Sequence, residues 1–335
     1  MEIRRVQMTG GSSYIITLPK QWIRSLNIKK NDSVGLIAQS DGNLLITPNL
    51  NKEQFQKIKK FDVSNIKDQD FLLRRLIGAY ITGYNSIELN SSDRMTPSVK
   101  MTVRKFTQTT IGQEIVEETD TNIIIKDLLN PTEMPFDRTI KRMYIIVKGM
   151  YEDILSSIIK NDKKLAEDII SRDNEVDRLH WLVARQHNII MQNVSFAEKM
   201  GITIELANTS FLISRIIERI GDHVIRIAKN AISIFDKKID EKLLENLQSA
   251  SINAIAIFNK SINSFLRRDV RGANETIEIV KKLELKCKEL NKILLKQKGE
   301  FVISMGYVID SIRRIGDYSS DISENVINYL TGEDK

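Results

Sequence analysis

The sequence predicts a multidomain protein: a small basic β-domain at the N-terminus, a short α/β segment, and an all-α remainder made of two sets of three helices. Three observations carry that prediction. From about residue 135 onward, apolar residues recur at three- and four-residue spacing, and no proline follows Pro135, as amphipathic helices require. The string Arg-Ile-Gly-Asp occurs at 219–222 and again at 314–317, 95 residues on, which marks an internal repeat. The whole net charge of +6 lies in residues 1–60, where ten Lys/Arg stand against four acids.

Within residues 1–50, runs at 4–9 and 14–18 read as short strands broken by Gly10-Gly11. Pro19 opens a short helix to about Leu26, a place proline tolerates because a first-turn N–H has no helical partner. Asn31-Asp32 turns the chain, and Asp41-Gly42 joins strands at 33–38 and 43–47 into a hairpin. Four short strands bury little surface, so such a unit is expected to pair with another sheet. Residues 51–66 read as a Lys-rich connector. Helices near 68–84 and 98–109 and strands at 86–90 and 122–128 then make a small α/β segment, closed by Pro131 and Pro135. Six helices are expected beyond it, near 136–160, 162–193, 202–234, 239–268, 270–297 and 300–330. The expected domains are 1–50, 51–135, 136–235 and 236–335.

Composition narrows the function classes. No apolar run approaches the roughly 20 residues that span a bilayer, and the N-terminal stretch lacks the apolar core of a secretory signal. A single cysteine, Cys287, provides no disulfide framework and fits a reducing cytoplasm. Positive charge concentrated on one small domain points to a polyanion partner there.

The repeated strings are Glu218-Arg-Ile-Gly-Asp222 and Arg313-Arg-Ile-Gly-Asp317. On each helix the neighbouring Ile and Val residues fall on one face, which is core. Gly221 and Gly316 inside helices, each about 1 kcal/mol worse than alanine, suggest a close approach by a neighbouring helix. Glu218 and Asp222 lie on the opposite side, four apart and therefore adjacent. On the second helix Asp310, Asp317, Asp321 and Glu324 fall within about 60° of one another. Asp173 and Asp177 repeat the spacing beside another core face, where they could meet Glu218 and Asp222 across a bundle. Oxygen-rich stripes suit hard cations or iron. The competing reading is a solvated acidic face with Arg219, Arg226, Arg313 and Arg314 as counter-charges. His180, His187 and His223 lack the Cys/His company of a zinc site.

The strings ERIGDH (218–223) and RRIGDY (313–318) resemble the signature of the PhoU family over roughly 140–330. That resemblance implies tandem three-helix bundles that regulate phosphate uptake, with metal clusters held by repeated acidic pairs. Asp173/Asp177 and Glu218/Asp222 match the pairs; in the second repeat Arg313 stands in place of an acid, the counterpart of the 173/177 pair shrinks to about Glu284, and Lys229 replaces a further acid of the first. A cluster of iron or another divalent cation is therefore expected in the first repeat before the second. Residues 2–48, with Gly10-Gly11-Ser12, Leu18-Pro19-Lys20, Trp22, Asp32 and the hairpin at 41–42, resemble the swapped-hairpin AbrB/SpoVT fold. That resemblance implies a β-barrel completed by an intertwined homodimer, and DNA contacts at Arg4, Arg5, Lys20 and Arg24, with Ser12 and Ser13 donating to phosphates. Fusion of the two parts resembles PhoU-type regulators of archaea.

Three functions follow for testing. The first is a homodimeric, cytoplasmic transcriptional regulator of phosphate uptake that binds DNA and whose helical domain senses or relays phosphate or metal status. The second is a signalling adaptor that docks on a phosphate transporter or sensor kinase without touching DNA or inserting into the membrane. The third, a metalloenzyme, lacks support: no nucleophile has an adjacent His, and no Gly-rich phosphate loop is present.

Overall fold

The computed structural model describes residues 2–38, 42–48, 57–130, 133–235, 237 and 239–333. The chain divides into two units, Met1–Phe55 and Gln56–Lys335.

In the first unit, β1 (Gln7–Thr9) and β2 (Ser13–Ile15) form an antiparallel hairpin whose turn places Gly10 and Gly11 at φ of 61° and 80°, the left-handed region that glycine enters without strain. Pro19 caps α1 (Lys20–Ser25), and its carbonyl accepts from the Ile23 N–H. The Asn31-Asp32 turn forms as expected: Asp32 Oδ2 accepts from the Lys29 N–H at 2.7 Å, and Asn31 takes φ of 72°. A second antiparallel hairpin pairs β3 (Gly35–Ala38) with β4 (Leu44–Thr47). Asp41, half of the expected hairpin turn, lies outside the described residues. No described side chain of this unit is buried, while Met8, Tyr14, Leu36 and Leu44 are more than half exposed.

The second unit begins with a four-stranded sheet of order β5-β6-β8-β7. It comprises β5 (Ile58–Asp62), α2 (Gln69–Ile81), β6 (Ser86–Asn90), α3 (Pro97–Thr109), β7 (Gln113–Glu118) and β8 (Asn122–Asp127). β5 runs parallel to β6, and the other pairs are antiparallel. Asp68 and Thr96 cap the two helices through the N–H groups of Phe71 and Val99. Ile123 and Ile125 of β8 alternate into a core with Phe61, Leu76, Ile87 and Phe106. The sequence reading is corrected here: part of the supposed connector is β5, and β7 was missed. Both are sheet edges, and charged residues such as Lys59, Lys60, Glu117 and Glu118, which deter edge pairing, also hide a strand pattern.

Among the described residues eight helices follow: α4 (Phe136–Lys160), α5 (Lys163–Ser171), α6 (Asp173–Gln192), α7 (Val194–Met200), α8 (Ile204–Ile232), α9 (Glu241–Arg267), α10 (Val270–Leu294) and α11 (Glu300–Glu333). Two corrections arise. The helix expected at 162–193 is two, parted at Arg172, whose guanidinium reaches Asp153 of α4 at 2.7 Å and also bonds Asp168. The short α7 precedes α8 and ends at Gly201, with φ of 64°. The predicted core faces are buried, with Ile213, Ile217, Ile220, Val224 and Ile227 on α8 and Val308, Ile309, Ile312, Ile315, Ile322 and Val326 on α11; Ile216, expected on the first face, is only partly buried against it. One apolar core runs through both repeats.

The C-terminal half of α6 fastens the bundle to the α/β layer. Arg185, 2% exposed, reaches Asp127 at 2.6 Å, donates to the Tyr80 carbonyl at the end of α2 and lies over the Tyr80 ring. Asn188 and Gln192 donate to the carbonyls of Ile81 and Thr82. These contacts satisfy carbonyls at the α2 C-terminus that have no helical N–H partner.

Candidate cation site and nucleic-acid face

Helices α6 and α8 bring Asp173, Asp177, Glu218 and Asp222 together. Burial is the first cause that raises each carboxyl, and repulsion by the neighbouring acids adds to it at Asp177, Glu218 and Asp222. Asp177 is pushed up to about 6, after burial by Asp173 and Asp222; Glu218 is pushed up to about 7, by Asp222 and Asp177. Lys229 pulls Asp173 and Asp222 back down without contacting them closely enough for an ion pair. Among the described residues, none of the four has a cationic nitrogen within 4 Å. Glu218 is therefore half-buried with only the more distant Arg219 to offset its charge, unlike an ordinary solvated acid.

The donor set fits a hard cation in charge and chemistry, since all four ligating groups are carboxylates. Among the described residues, however, no three His, Cys, Asp or Glu side chains stand ready in metal-holding geometry. The fit is one of charge and donor type, not of preformed coordination.

A carboxyl raised by the fold stabilises it when protonated. Glu218 contributes that stability below its ordinary value of 4.5, and the contribution is lost as pH rises through about 7. In a chelator, Glu218→Gln should therefore melt higher than the parent at pH 8 and show no such gain at pH 5. A melting difference independent of pH would refute the coupling.

The second repeat is arranged differently. Arg313 donates to Asp317 at 2.6 Å and to Asp310 at 2.9 Å. Glu284 is paired with Lys288 at 2.8 Å. Asp321 is raised by burial first and then by Glu324 and Asp317, while Arg219 of α8 opposes the rise. The eight acids thus form one group of four with no close ion pair among the described residues and one group that Arg313 partly neutralises.

The two motif glycines differ as well. A Cβ on Gly221 would sit 3.5 Å from Val147 and 3.7 Å from Val176, in ordinary contact where α4, α6 and α8 meet. A Cβ on Gly316 would sit 2.5 Å from Cδ2 of the buried Leu283. Gly221→Ala should stabilise by up to about 1 kcal/mol through helix propensity. Gly316→Ala should destabilise by about 1–3 kcal/mol through overpacking. Equal shifts in thermal midpoint for the two variants would contradict this account.

The histidines serve packing. His187 stacks on Phe211 at 4.7 Å, and His180 lies against the same ring and bonds Ser214. His223 bonds Ser311 at 3.2 Å across the α8–α11 seam.

In the first unit, Arg4, Arg5, Ser12, Ser13, Lys20 and Arg24 are all exposed. Ser12 lies in the β1–β2 turn and Ser13 opens β2. Lys20 and Arg24 are four apart on α1. Arg4 is paired with Glu2 at 2.6 Å, an exposed contact of little strength. Spacing points to the eight acids, and the AbrB/SpoVT-like resemblance with charge to the six residues of the first unit; the burial of Glu218 and the part played by Arg172 in positioning α6 are not visible in either.

Two family models match the chain: the PhoU domain at residues 140–231 and 247–326, and "Antidote-toxin recognition MazE, bacterial antitoxin" at 7–54. The chain is 21% identical over 201 residues to phosphate-specific transport system accessory protein PhoU homolog 1 of Thermotoga maritima, covering 58% of this chain and 85% of that protein. It is 23% identical over 185 residues to the PhoU homolog of Zymomonas mobilis that bears the same accessory-protein name, covering 53% and 76%. The crystal structure of PhoU from Pseudomonas aeruginosa superimposes with a TM-score of 0.53 at 19% identity, over 59% of this chain and 96% of that one, a likeness of fold.

Proposed function

This chain belongs to the PhoU family and carries a MazE/AbrB-like domain at its N-terminus, and from that premise we propose that it is a homodimeric DNA-binding regulator of phosphate uptake. The observation that carries the reading is the N-terminal unit: its seven Lys/Arg against four acids give +3 of the chain's net +6, and it leaves Met8, Tyr14, Leu36 and Leu44 uncovered. Large apolar side chains on so small a unit call for a partner surface, and a second copy supplies one. Basic side chains on the paired unit would then meet phosphates, which give affinity and register but not sequence choice.

The helical domain is the sensing part in this proposal. Asp173, Asp177, Glu218 and Asp222 would hold the cation, iron or another divalent ion, which would cancel their mutual repulsion. Asp310, Asp317, Asp321 and Glu324 are the weaker set. DNA affinity then responds only if the two states of the domain differ in free energy between free and DNA-bound forms. The protein is not an enzyme in this reading and works in the cytoplasm. Among the described residues no helix is long and apolar enough to cross a membrane.

A mobility shift with DNA upstream of a phosphate-uptake gene, run at low salt with and without divalent cation, tests the proposal. Binding that responds to the cation and to Glu218→Gln supports it. Absence of binding at low salt would sink it in favour of an adaptor that docks on a phosphate transporter or sensor kinase.

A further inference from the structure

The two motifs align residue for residue at a spacing of 95, which sets Arg313 opposite Glu218, Asp317 opposite Asp222 and Asp310 opposite Arg215. Acid and base have therefore changed places between the repeats. In the first, Arg215 forms no ion pair among the described residues, and Glu218 and Asp222 face Asp173 and Asp177 with Arg219 and Lys229 acting only from beyond ion-pair distance. In the second, one guanidinium spans the two flanking acids, Nη1 on Asp317 and Nη2 on Asp310, one turn away on either side. All three side chains are less than half exposed, at 30%, 33% and 42%, so the pair is shielded more than a surface contact. The neighbouring helix adds Glu284, whose carboxyl also feels Arg313, and the buried Cys287.

We infer that the Arg313 guanidinium is the resident cation of the second repeat, fixed by the chain itself, so that a divalent ion is taken up by the first repeat alone. The inference rests on the cation reading proposed above for Asp173, Asp177, Glu218 and Asp222. A guanidinium is always charged and presents a fork that engages two carboxylates at once. A divalent ion competing for Asp310 and Asp317 would have to displace a tethered cation, whose effective concentration is high. The chain would then be asymmetric by design: one repeat that responds to ion supply and one held permanently neutralised.

The test uses the full chain and Mn2+ as probe, with bound metal measured by elemental analysis after desalting and thermal shift measured in parallel. Wild type should lose its bound Mn2+ on Glu218→Gln or Asp177→Asn and keep it on Asp317→Asn. Arg313→Gln leaves Asp310 without its partner and Asp317 with only the more distant Arg314 at 3.9 Å, so it should gain Mn2+ beyond wild type and keep that gain when combined with Glu218→Gln. Arg313→Lys retains a cation and should gain none. Arg313→Glu, which restores the acid of the first repeat, should gain the most, and Arg313→Gln serves if that variant does not fold. Wild-type Mn2+ that is lost on Asp317→Asn and survives Glu218→Gln would overturn the inference. If wild type binds no Mn2+ at all, the cation reading of the first repeat fails separately. The inference then stands or falls on whether Arg313→Gln gains Mn2+ and Arg313→Lys does not.

Discussion

Asp127→Ala should destabilise the second unit by about 3–5 kcal/mol, the usual result of removing one partner from a buried ion pair. Asp127 and Arg185 are 6% and 2% exposed at the side chain, and their charged atoms are 2.6 Å apart. Alanine at 127 leaves the guanidinium in place, and arginine cannot discard its proton to escape burial. The Tyr80 carbonyl and ring would still face that charge but would not neutralise it. Asp127 also accepts from the Leu129 N–H at 3.1 Å, so its loss frees a second donor. Asp127→Asn keeps one carbonyl oxygen, an acceptor for only one of the two donors, and should cost less than alanine. Trp181 packs against the core of the α/β layer, so urea unfolding followed by its fluorescence in a Trp22→Phe background reads the loss where it occurs. A midpoint shift worth under about 1 kcal/mol would show that water reaches the pair and screens it as a surface contact.

That pair also bears on how a signal could leave the proposed cation site. Asp173 and Asp177 lie at the start of α6, and Arg185, Asn188 and Gln192 lie toward its end, fixed to α2 and β8. A displacement of α6 that followed a change of charge at its N-terminal turns would reach the α/β layer through these contacts. The layer's first strand, β5, is held at its entrance by Lys57, which bonds Gln192 of α6. Spatial continuity of this kind is a route, and coupling along it is a matter for double-mutant cycles between Asp177 and Arg185.

The bundle was legible because amphipathic helices write their period into the sequence: α4 was expected at 136–160 and is Phe136–Lys160. The break at Arg172 left no trace, because that residue stays in helical dihedral space, at φ −82° and ψ −5°, and no glycine or proline marks it. The acidic group was legible through four-residue spacing, which places side chains on one helical face. Its burial was not, since that depends on how closely α6 packs on α8. Arg185 was invisible for a similar reason. An arginine in a helix reads as solvated unless its partner is known, and Asp127 lies 58 residues upstream on a β-strand. The edge strands β5 and β7 were hidden by the charges that protect them.

Replacing Arg4 and Arg5 together by alanine should weaken DNA binding and flatten its dependence on salt. Each phosphate contact releases condensed counterions, so the slope of log affinity against log salt is about −0.9 per contact. Loss of two contacts should reduce the slope by about 2 for each chain engaged. Both side chains are exposed and precede β1, where no packing depends on them, so the fold should be untouched. Arg4 is shared with Glu2, which competes with phosphate for the same guanidinium. Glu2→Gln should therefore tighten binding, most at low salt, where the competing attraction is least screened. Arg4→Lys with Arg5→Lys should keep the slope while losing any bidentate phosphate contact, which separates charge from geometry. An unchanged slope in the double alanine variant would place the phosphate contacts elsewhere, with Lys20 and Arg24 of α1 the next pair to replace. A slope that falls while the preference among DNA sequences stays constant would show that these arginines position the protein and that base choice is made by other residues.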